Sequence, residues 1–292
     1  MIELAPNRKQ GLTLANPIIA ASGAAGFAFD ASGLLALDRF GAVVTAPISL
    51  RPRRGAAQPR LMEVRGGLLL NHGEQNPGWR RALERFGAAW ERSQSRVIVH
   101  LGGHSTGWVD LAKRIEATRG VAGIEVDLTD NEGLKPLAAL RAAVELPILV
   151  RLPYAGAPLA VPAVQSGADV LVCIAPPGGA ALAEAGGQSL TPTPLPRKER
   201  GAWIEGQIYG ALVKPLATRT LREAAALVTV PLIGAGGLYT VTDAAEMLAA
   251  GASAVMVDSL AWVDPAAVNA LIDAMAGRPS PPAPLPLRER GA

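Results

Sequence analysis

The chain has 292 residues, of which 49% are hydrophobic and 18% are charged, and this composition is typical of a folded globular protein. Its formal net charge is +3, and two short segments, residues 197–200 and 288–290, account for the whole excess. The rest of the chain is therefore neutral. A nucleic-acid partner is not expected, because binding to phosphate backbones needs a clustered basic face on the folded body.

Cys173 is the single cysteine and lies in an apolar run, so we interpret it as a packed core thiol in a protein of the reducing cytoplasm. The apolar residues 14–29 are interrupted by Asn16-Pro17 and Ser22-Gly23, which indicates a strand and a loop and no signal peptide. No uninterrupted apolar run reaches the ~18 residues that a membrane span needs. No membrane partner is expected.

Short apolar runs rich in β-branched residues predict eight strands. They cover residues 17–21, 42–45, 97–101, 123–128, 148–152, 170–174, 232–234 and 254–257. Helical patterns lie between most of them, at 79–90, 109–118, 134–143, 216–227, 241–250 and 265–276. Strand–helix units of this length return each strand to the same edge in a right-handed crossover, so the sequence predicts an α/β fold closed into a (β/α)8 TIM barrel.

A doubly wound open sheet is the structural alternative, but it would need fewer strands and normally a glycine-rich dinucleotide turn after the first. The turn Ser22-Gly23-Ala24-Ala25-Gly26 matches that pattern poorly. Two connections, 46–70 and 175–208, are longer than usual. Long loops on the functional face usually cover a site.

Residues 191–202 (TPTPLPRKERGA) recur as residues 281–292 (PPAPLPLRERGA), with eight of twelve positions identical. Neither copy has core periodicity, and such charged, proline-rich peptides cannot bury apolar area. We therefore predict a single barrel domain over 1–278, with a low-complexity insertion at 188–202 and a disordered, proline-rich tail at 279–292. A binding motif for a proline-recognising partner is the alternative interpretation.

A glycine-rich turn after the seventh predicted strand and a hydroxyl after the eighth are the strongest local signals. In α/β barrels these loops present backbone N–H groups to a phosphate. Gly234, Gly236, Gly237 and Ser259 stand at the expected positions, so the sequence predicts a phosphate site. The alternative is that the glycines only make a tight turn. Asp258 argues against the site, since its carboxylate would repel a phosphate unless it turns away or is neutralised.

Three motifs in this order resemble those of the class 1 dihydroorotate dehydrogenases, flavin mononucleotide (FMN) enzymes of pyrimidine synthesis. They are NPIIAASG at 16–23, NHGEQNPG at 71–78 and GQIYGALVKP at 206–215, and the glycine-rich segments described above follow them. The likeness runs from about residue 14 to residue 262.

The resemblance implies an oxidoreductase that oxidises a CH–CH bond of a small molecule, with FMN lying across the strand ends. It implies a homodimer or an electron-transfer subunit as the protein partner. The cofactor residues it implies are Ala21, Ser22, Arg151, Gly210, Gly234, Gly236, Gly237 and Ser259. The implied substrate residues are Asn71 and Asp127, and the implied catalytic residues are Asp130 and Arg151.

The family's loop after the fourth strand carries a catalytic cysteine between asparagines, whereas this chain reads Asp127-Leu-Thr-Asp130-Asn131-Glu132. Asp130 stands at the cysteine position, and an aspartate can act as a general base. Carboxylates at this loop should repel orotate, which is an anion. Arg151 stands for a lysine of the family and keeps a positive charge that could stabilise a reduced flavin.

Three functions remain open. The first is a flavin oxidoreductase that acts on dihydroorotate or on a substrate tolerating an acidic pocket. The second is a non-catalytic barrel, with or without FMN, that serves as a partner or regulatory protein. The simultaneous departures from the family at Ala46, Asp130 and Ala175 favour it, as does the proline-rich repeat. The third is a metal-dependent barrel enzyme, although the spacing of its histidines suits no known ligand pair. Its candidate ligands are His100, His104, Glu125 and Asp127.

For His72, a structural role and a role in the site are both open.

Overall fold

The computed structural model describes residues 1–28, 33–182 and 203–275. Eight parallel strands form a closed barrel in chain order, because the last strand pairs with the first through Val255 and Ile18. The prediction of a (β/α)8 barrel is therefore confirmed. The strands are β1 (Ile18–Ala20), β2 (Ala42–Val44), β3 (Arg96–His100), β4 (Val121–Asp127), β5 (Ile148–Leu152), β6 (Val170–Cys173), β7 (Leu232–Ala235) and β8 (Ala254–Val257).

Helices surround the barrel and lie close to their predicted bounds. They are α1 (Trp79–Arg92), α2 (Trp108–Glu116), α3 (Leu134–Ala143), α4 (Ala160–Gln165), α5 (Lys214–Ala225), α6 (Val241–Ala249), α7 (Leu260–Val263) and α8 (Pro265–Met275). The short α4 escaped prediction, because it contains Pro162 and spans fewer than two turns. Helix α6 begins with a capping box in which the side chains of Thr240 and Asp243 bond each other's backbone N–H groups.

The barrel core is aliphatic, as the β-branched runs predict. All residues of β1, β2, β5, β6, β7 and β8 are buried, since the strands are covered by helices on the outside and by one another's side chains inside. Three buried side chains near the ends of β3, β4 and β5 are polar and so depart from this aliphatic composition: His100, Glu125 and Arg151. They lie at the carboxyl end of the barrel, where α/β barrels place their sites.

The two long connections fold into a second layer over the carboxyl ends of the strands. Residues Leu61–Val64 and Gly67–Leu70 form a hairpin, and Gly178–Leu182 and Trp203–Tyr209 form a second antiparallel pair. Together they make a four-stranded sheet, called here the cover sheet. The sequence predicted these segments only as loops, because short, glycine-rich and half-exposed strands lack a clear alternation of apolar and polar residues.

Residues 29–32, 183–202 and 276–292 lie outside the described residues. Both copies of the proline-rich repeat, the predicted insertion at 188–202 and the predicted tail at 279–292 fall there. In the part of the chain that the structure does describe, every helix is too short or too polar to cross a membrane.

Candidate functional site

A cavity of about 700 Å³ opens between the carboxyl end of the barrel and the cover sheet. We call it the mouth cavity. Ser22, Asp127 and Arg151 contribute from the barrel. Asn71, His72, Glu74, Glu205, Gln207 and Tyr209 contribute from the cover sheet and the loop that follows its hairpin. A second cavity of about 570 Å³ adjoins it and shares Ser22, Pro47, Leu70, His72 and Tyr209.

An ion pair between the buried Arg151 and the half-buried Asp127 forms the floor of the mouth cavity. Asp127 and Arg151 are register partners on β4 and β5, which brings their side chains together. The Arg151 Nε and Nη2 groups donate to Asp127 Oδ1 and Oδ2 at 2.5 and 2.8 Å, a bidentate geometry. Burial alone would raise the pKa of Asp127, but the Arg151 charge outweighs it and holds that pKa at about 2. Both groups are therefore charged at neutral pH.

A second acid supports this pair from deeper in the barrel. Glu125 is fully buried on β4, and its Oε2 lies 2.7 Å from Nδ1 of His100 on β3 and 3.7 Å from Arg151 Nε. Burial acts to lower the pKa of Arg151, but the charges of Asp127 and Glu125 raise it above its ordinary value. The guanidinium is thus fixed by acids from one neighbouring strand, and little of its charge remains uncompensated.

His72 lies in the wall between the two cavities. Its Nδ1 accepts the backbone N–H of Glu74 at 2.9 Å, so the neutral ring carries its proton on Nε2. Burial lowers the pKa of His72, which keeps the ring neutral at pH 7. The ring therefore offers an N–H donor to a molecule in either cavity.

Tyr209 separates the two cavities at the end of the cover sheet. Its ring is buried and meets the Trp262 ring edge-on, with 5.1 Å between centroids, and its hydroxyl donates to Gln207 Oε1 at 3.1 Å. Burial raises the pKa of Tyr209 above its ordinary value, so the hydroxyl stays protonated. The sequence placed Tyr209 in a motif without assigning it a role, and its only signal was a bulky aromatic residue beside glycines.

Asp258, at the end of β8, turns toward the residue that follows it. Its Oδ1 accepts the Ser259 N–H at 2.5 Å and the Ser259 hydroxyl at 2.9 Å, while the Tyr239 hydroxyl donates to Ser259 Oγ at 2.9 Å. Ser259 has no exposed surface. Burial raises the pKa of Asp258, although the Ser259 bonds act against that shift.

The glycines of this region are explained by close packing. Gly236 and Gly237 have φ of +101° and +72°, which suits glycine. A Cβ on Gly237 would lie 2.4 Å from the backbone nitrogen of Lys214, and one on Gly236 would lie 2.9 Å from a methyl of Val213. A Cβ on Gly234 would come within 2.9 Å of Met247 Sδ. The turn is therefore pressed against the start of α5 and against α6.

The protein-family model for dihydroorotate dehydrogenase matches residues 6–139 and 193–278. The chain belongs to the dihydroorotate dehydrogenase family. That family consists of flavin-dependent oxidoreductases that act on CH–CH groups, so the resemblance stated from the motifs is confirmed.

Curated relatives support the assignment over nearly the whole chain. A protein of Geotalea uraniireducens (strain Rf4) is 31% identical over 91% of this chain and 90% of its own length. One of Pelobacter propionicus is 32% identical over 91% of this chain and 90% of its own length. One of Desulforamulus reducens is 31% identical over 90% of both chains. All three are named dihydroorotate dehydrogenase B (NAD(+)), catalytic subunit.

Among the substrate and catalytic residues that the family resemblance implied, Asn71, Asp127 and Arg151 meet in the mouth cavity. Asn71 Nδ2 donates to the Glu205 carbonyl at 2.8 Å, which leaves its own carbonyl oxygen as an acceptor. Asp130 lies apart from them. It is exposed, caps a short helical turn by accepting the Glu132 N–H at 2.8 Å, and lines neither cavity.

The residues implied for the flavin fall into two groups. Ser22 lines both cavities and donates to the Thr45 carbonyl at 3.0 Å, Ala21 is buried beside it, and Arg151 lies on the cavity floor. The residues implied for the FMN phosphate lie outside both cavities. Gly236, Gly237 and Ser259 line neither cavity, and a Cβ on Gly210 would lie 2.5 Å from the Gly66 carbonyl oxygen under the cover sheet.

These phosphate residues do not fit FMN as they are arranged. Both donors of Ser259 are bound to Asp258, and the nearby Lys214 ammonium is held by Asp243 Oδ1 at 2.5 Å and Glu246 Oε2 at 2.7 Å. A phosphate dianion would meet a carboxylate there and no uncommitted donor from Ser259.

The metal-enzyme alternative gains no support from this geometry. His100 is committed to Glu125, and His104 is exposed in a loop. Over residues 1–28, 33–182 and 203–275, no three acidic, histidine or cysteine side chains converge as a metal site requires. Cys173 is buried, and burial raises its pKa to about 12, which agrees with its interpretation as a packed core thiol.

Proposed function

We propose that this chain is an oxidoreductase of the dihydroorotate dehydrogenase family that acts on a small polar molecule, neutral or positively charged, in the mouth cavity. The observation that carries the proposal is the charge of the lining. Glu74, Asp127 and Glu205 line the cavity together with one guanidinium, that of Arg151, which Asp127 already neutralises. Glu74 is itself 3.5 Å from Arg53 Nε, whereas among the described residues no lysine or arginine outside the cavity pairs with Asp127 or Glu205. An anionic substrate such as dihydroorotate would gain little from Arg151 and would be repelled by the carboxylates.

The polar groups of the cavity suit a neutral ligand that both donates and accepts. The His72 Nε2–H group is a donor, and the Asn71 carbonyl oxygen is an acceptor. Asp127 remains ionised and can accept a further bond while it holds Arg151, but its low pKa makes it a weak base. The residues therefore bind and orient a ligand, whereas a general base is not evident among them. Asp130 stays a predicted base that would have to act from outside the cavity.

Several finer expectations remain proposals. FMN is the cofactor expected from the family, but the phosphate end supports it poorly. A partner electron-transfer subunit follows only from the relatives, which are named as catalytic subunits of an NAD(+)-dependent enzyme. A cytoplasmic location rests on the single cysteine.

A second candidate function is a non-catalytic barrel that binds a small molecule and serves as a partner or regulatory protein. The contact between Asp258 and Ser259 favours it, because a chain that does not retain FMN would lack the redox centre of its family. Both candidate functions predict that the chain binds the same small molecule, but only the oxidoreductase would convert it to a product.

A matched pair of ligands tests the proposal. Dihydroorotate and 5,6-dihydrouracil differ by one carboxylate. The ratio of their affinities for the purified full chain therefore shows whether the cavity favours or disfavours a negative charge on the ligand. We expect dihydrouracil to bind at least about tenfold more tightly in isothermal titration. Asp127→Asn should reduce that preference, whereas Asp110→Asn on the exposed face of α2 should not. Tighter binding of dihydroorotate by the natural chain would refute the proposal.

A visible spectrum of the same preparation separates the two candidate functions. A flavin band that is bleached without air by the neutral ligand identifies an oxidoreductase. A colourless protein that binds the ligand, and gains no redox activity when flavin is added, identifies a non-catalytic relative.

A further inference from the structure

Ser259, just after β8, is the residue expected to hold an anion, and its donors are already satisfied. Its N–H and hydroxyl both point to Asp258 Oδ1, at 2.5 and 2.9 Å. The Tyr239 hydroxyl donates a hydrogen bond to the Ser259 side-chain oxygen at 2.9 Å. Because Asp258 is 7% exposed and Ser259 is 0% exposed, solvent does not compete for these bonds.

The carboxylate thus makes the same bonds that a phosphate oxygen would make. A hydroxyl and a backbone N–H that converge on one anionic oxygen are the usual elements of a phosphate site. In this chain both converge on an oxygen of the protein itself. An incoming phosphate would have to displace Asp258 and then remain beside its charge.

Other cations near this end are also committed. Lys214 follows the Val213 that packs on Gly236, and its ammonium is shared by Asp243 and Glu246. Arg151 is held by Asp127. Both cations are therefore already paired with acids of this chain.

We propose that Asp258 fills the phosphate position at the end of β8 with its own carboxylate, so that this chain discriminates against phosphorylated flavins. The inference concerns the phosphate of the cofactor and stands apart from the charge of the proposed substrate. In chemical terms, the phosphate of FMN should lower the affinity of this chain for the flavin, whereas in the family the phosphate should raise that affinity.

FMN and riboflavin are the probes, because they differ only in the phosphate. Binding of each to the purified full chain is followed by quenching of flavin fluorescence. Four proteins are compared: the natural chain, Asp258→Gly, Asp258→Asn and the remote control Asp110→Asn. The glycine variant removes the carboxylate and frees Ser259, whereas the asparagine variant removes the charge and keeps the shape.

We expect Asp258→Gly to bind FMN at least about tenfold more tightly than the natural chain, with riboflavin changed by less than about twofold. Asp258→Asn should gain part of that affinity, and Asp110→Asn should gain none. If the glycine variant fails to fold, the asparagine variant still decides the question through its ratio of FMN to riboflavin affinity.

Three results would overturn the inference. The natural chain could bind FMN as tightly as Asp258→Gly does. Both flavins could gain equally in the variant, which would mean that space and not charge was limiting. The third result is that neither flavin binds to any of the variants, which would mean that residue 258 does not control binding of the flavin. None of these outcomes affects the preference for a neutral ligand at Arg151, which the matched pair tests separately.

Discussion

Two aspartates at the carboxyl end of the barrel have opposite environments. Asp127 faces Arg151, which holds its pKa at about 2, whereas burial raises the pKa of Asp258, whose carboxylate accepts bonds from Ser259. The first acid belongs to a neutralised pair on the floor of a cavity, and the second is a buried acid that satisfies a neighbouring donor. Residue type alone does not decide whether an acid attracts or excludes a ligand; its partners do.

Removing the cation that Asp127 faces should change stability more than any other substitution at this end of the barrel. Arg151→Met leaves Asp127 and Glu125 without their cation, and removing one partner of a buried pair costs about 3 kcal/mol or more. Urea denaturation should show that loss, while Arg119→Gln, at an exposed arginine, should change stability by less than about 0.5 kcal/mol. A loss as small as that of the control would mean that the pair contributes little to folding.

A smaller effect is expected from Asp127→Asn, and it should depend on pH. Because the folded pKa of Asp127 lies below its ordinary value of 3.8, its stabilisation is present above pH 4 and is lost as the pH falls toward 2. With 34% of this side chain exposed, we expect about 1 kcal/mol at neutral pH. Stability curves of the two proteins should converge in acid. Parallel curves from pH 2 to pH 7 would contradict the assignment.

Asp258→Asn should act in the opposite direction. A raised folded pKa means that the protonated acid is favoured in the fold, so the native chain loses stability as the pH rises through that pKa. Replacement by asparagine should therefore stabilise the protein at neutral pH by up to about 1 kcal/mol, and the gain should vanish below pH 4. Thermal unfolding across this range measures it. Destabilisation at neutral pH would show that the charge is compensated.

Tyr209→Phe should have the smallest effect on stability. The variant keeps the packing against Trp262 and loses only the hydrogen bond to Gln207, which is worth about 1 kcal/mol at most. A loss of 3 kcal/mol or more in urea denaturation would mean that the hydroxyl, and not the ring, holds the end of the cover sheet. Gln207→Ala serves as the reciprocal control.

The barrel could be predicted from the sequence because each of its strands is buried on both faces. Continuous apolar runs such as Val170–Cys173 therefore mark it directly. The cover sheet could not be predicted in this way. Residues such as Gly178 and Gly179 carry no side chain that records which face is buried, and their pairing with the distant Trp203–Tyr209 depends on the barrel beneath.

The site was predictable only in part for a related reason. Arg151 and Asp127 end neighbouring strands, which brings their side chains together, and Asn71 lines the same cavity from the cover sheet. Motif position could not show that the Asp130 side chain caps its own turn, nor that Asp258 turns toward Ser259. Those outcomes depend on a side-chain rotamer, which local backbone geometry selects.

A crystal structure of the natural chain grown with excess FMN would show whether Asp258 keeps the phosphate away from Ser259. We predict that Asp258 Oδ1 keeps its bonds to the N–H and hydroxyl of Ser259, and that no phosphate oxygen comes within hydrogen-bonding distance of either group. A phosphate seated on Ser259, with the Asp258 side chain rotated away, would contradict the account.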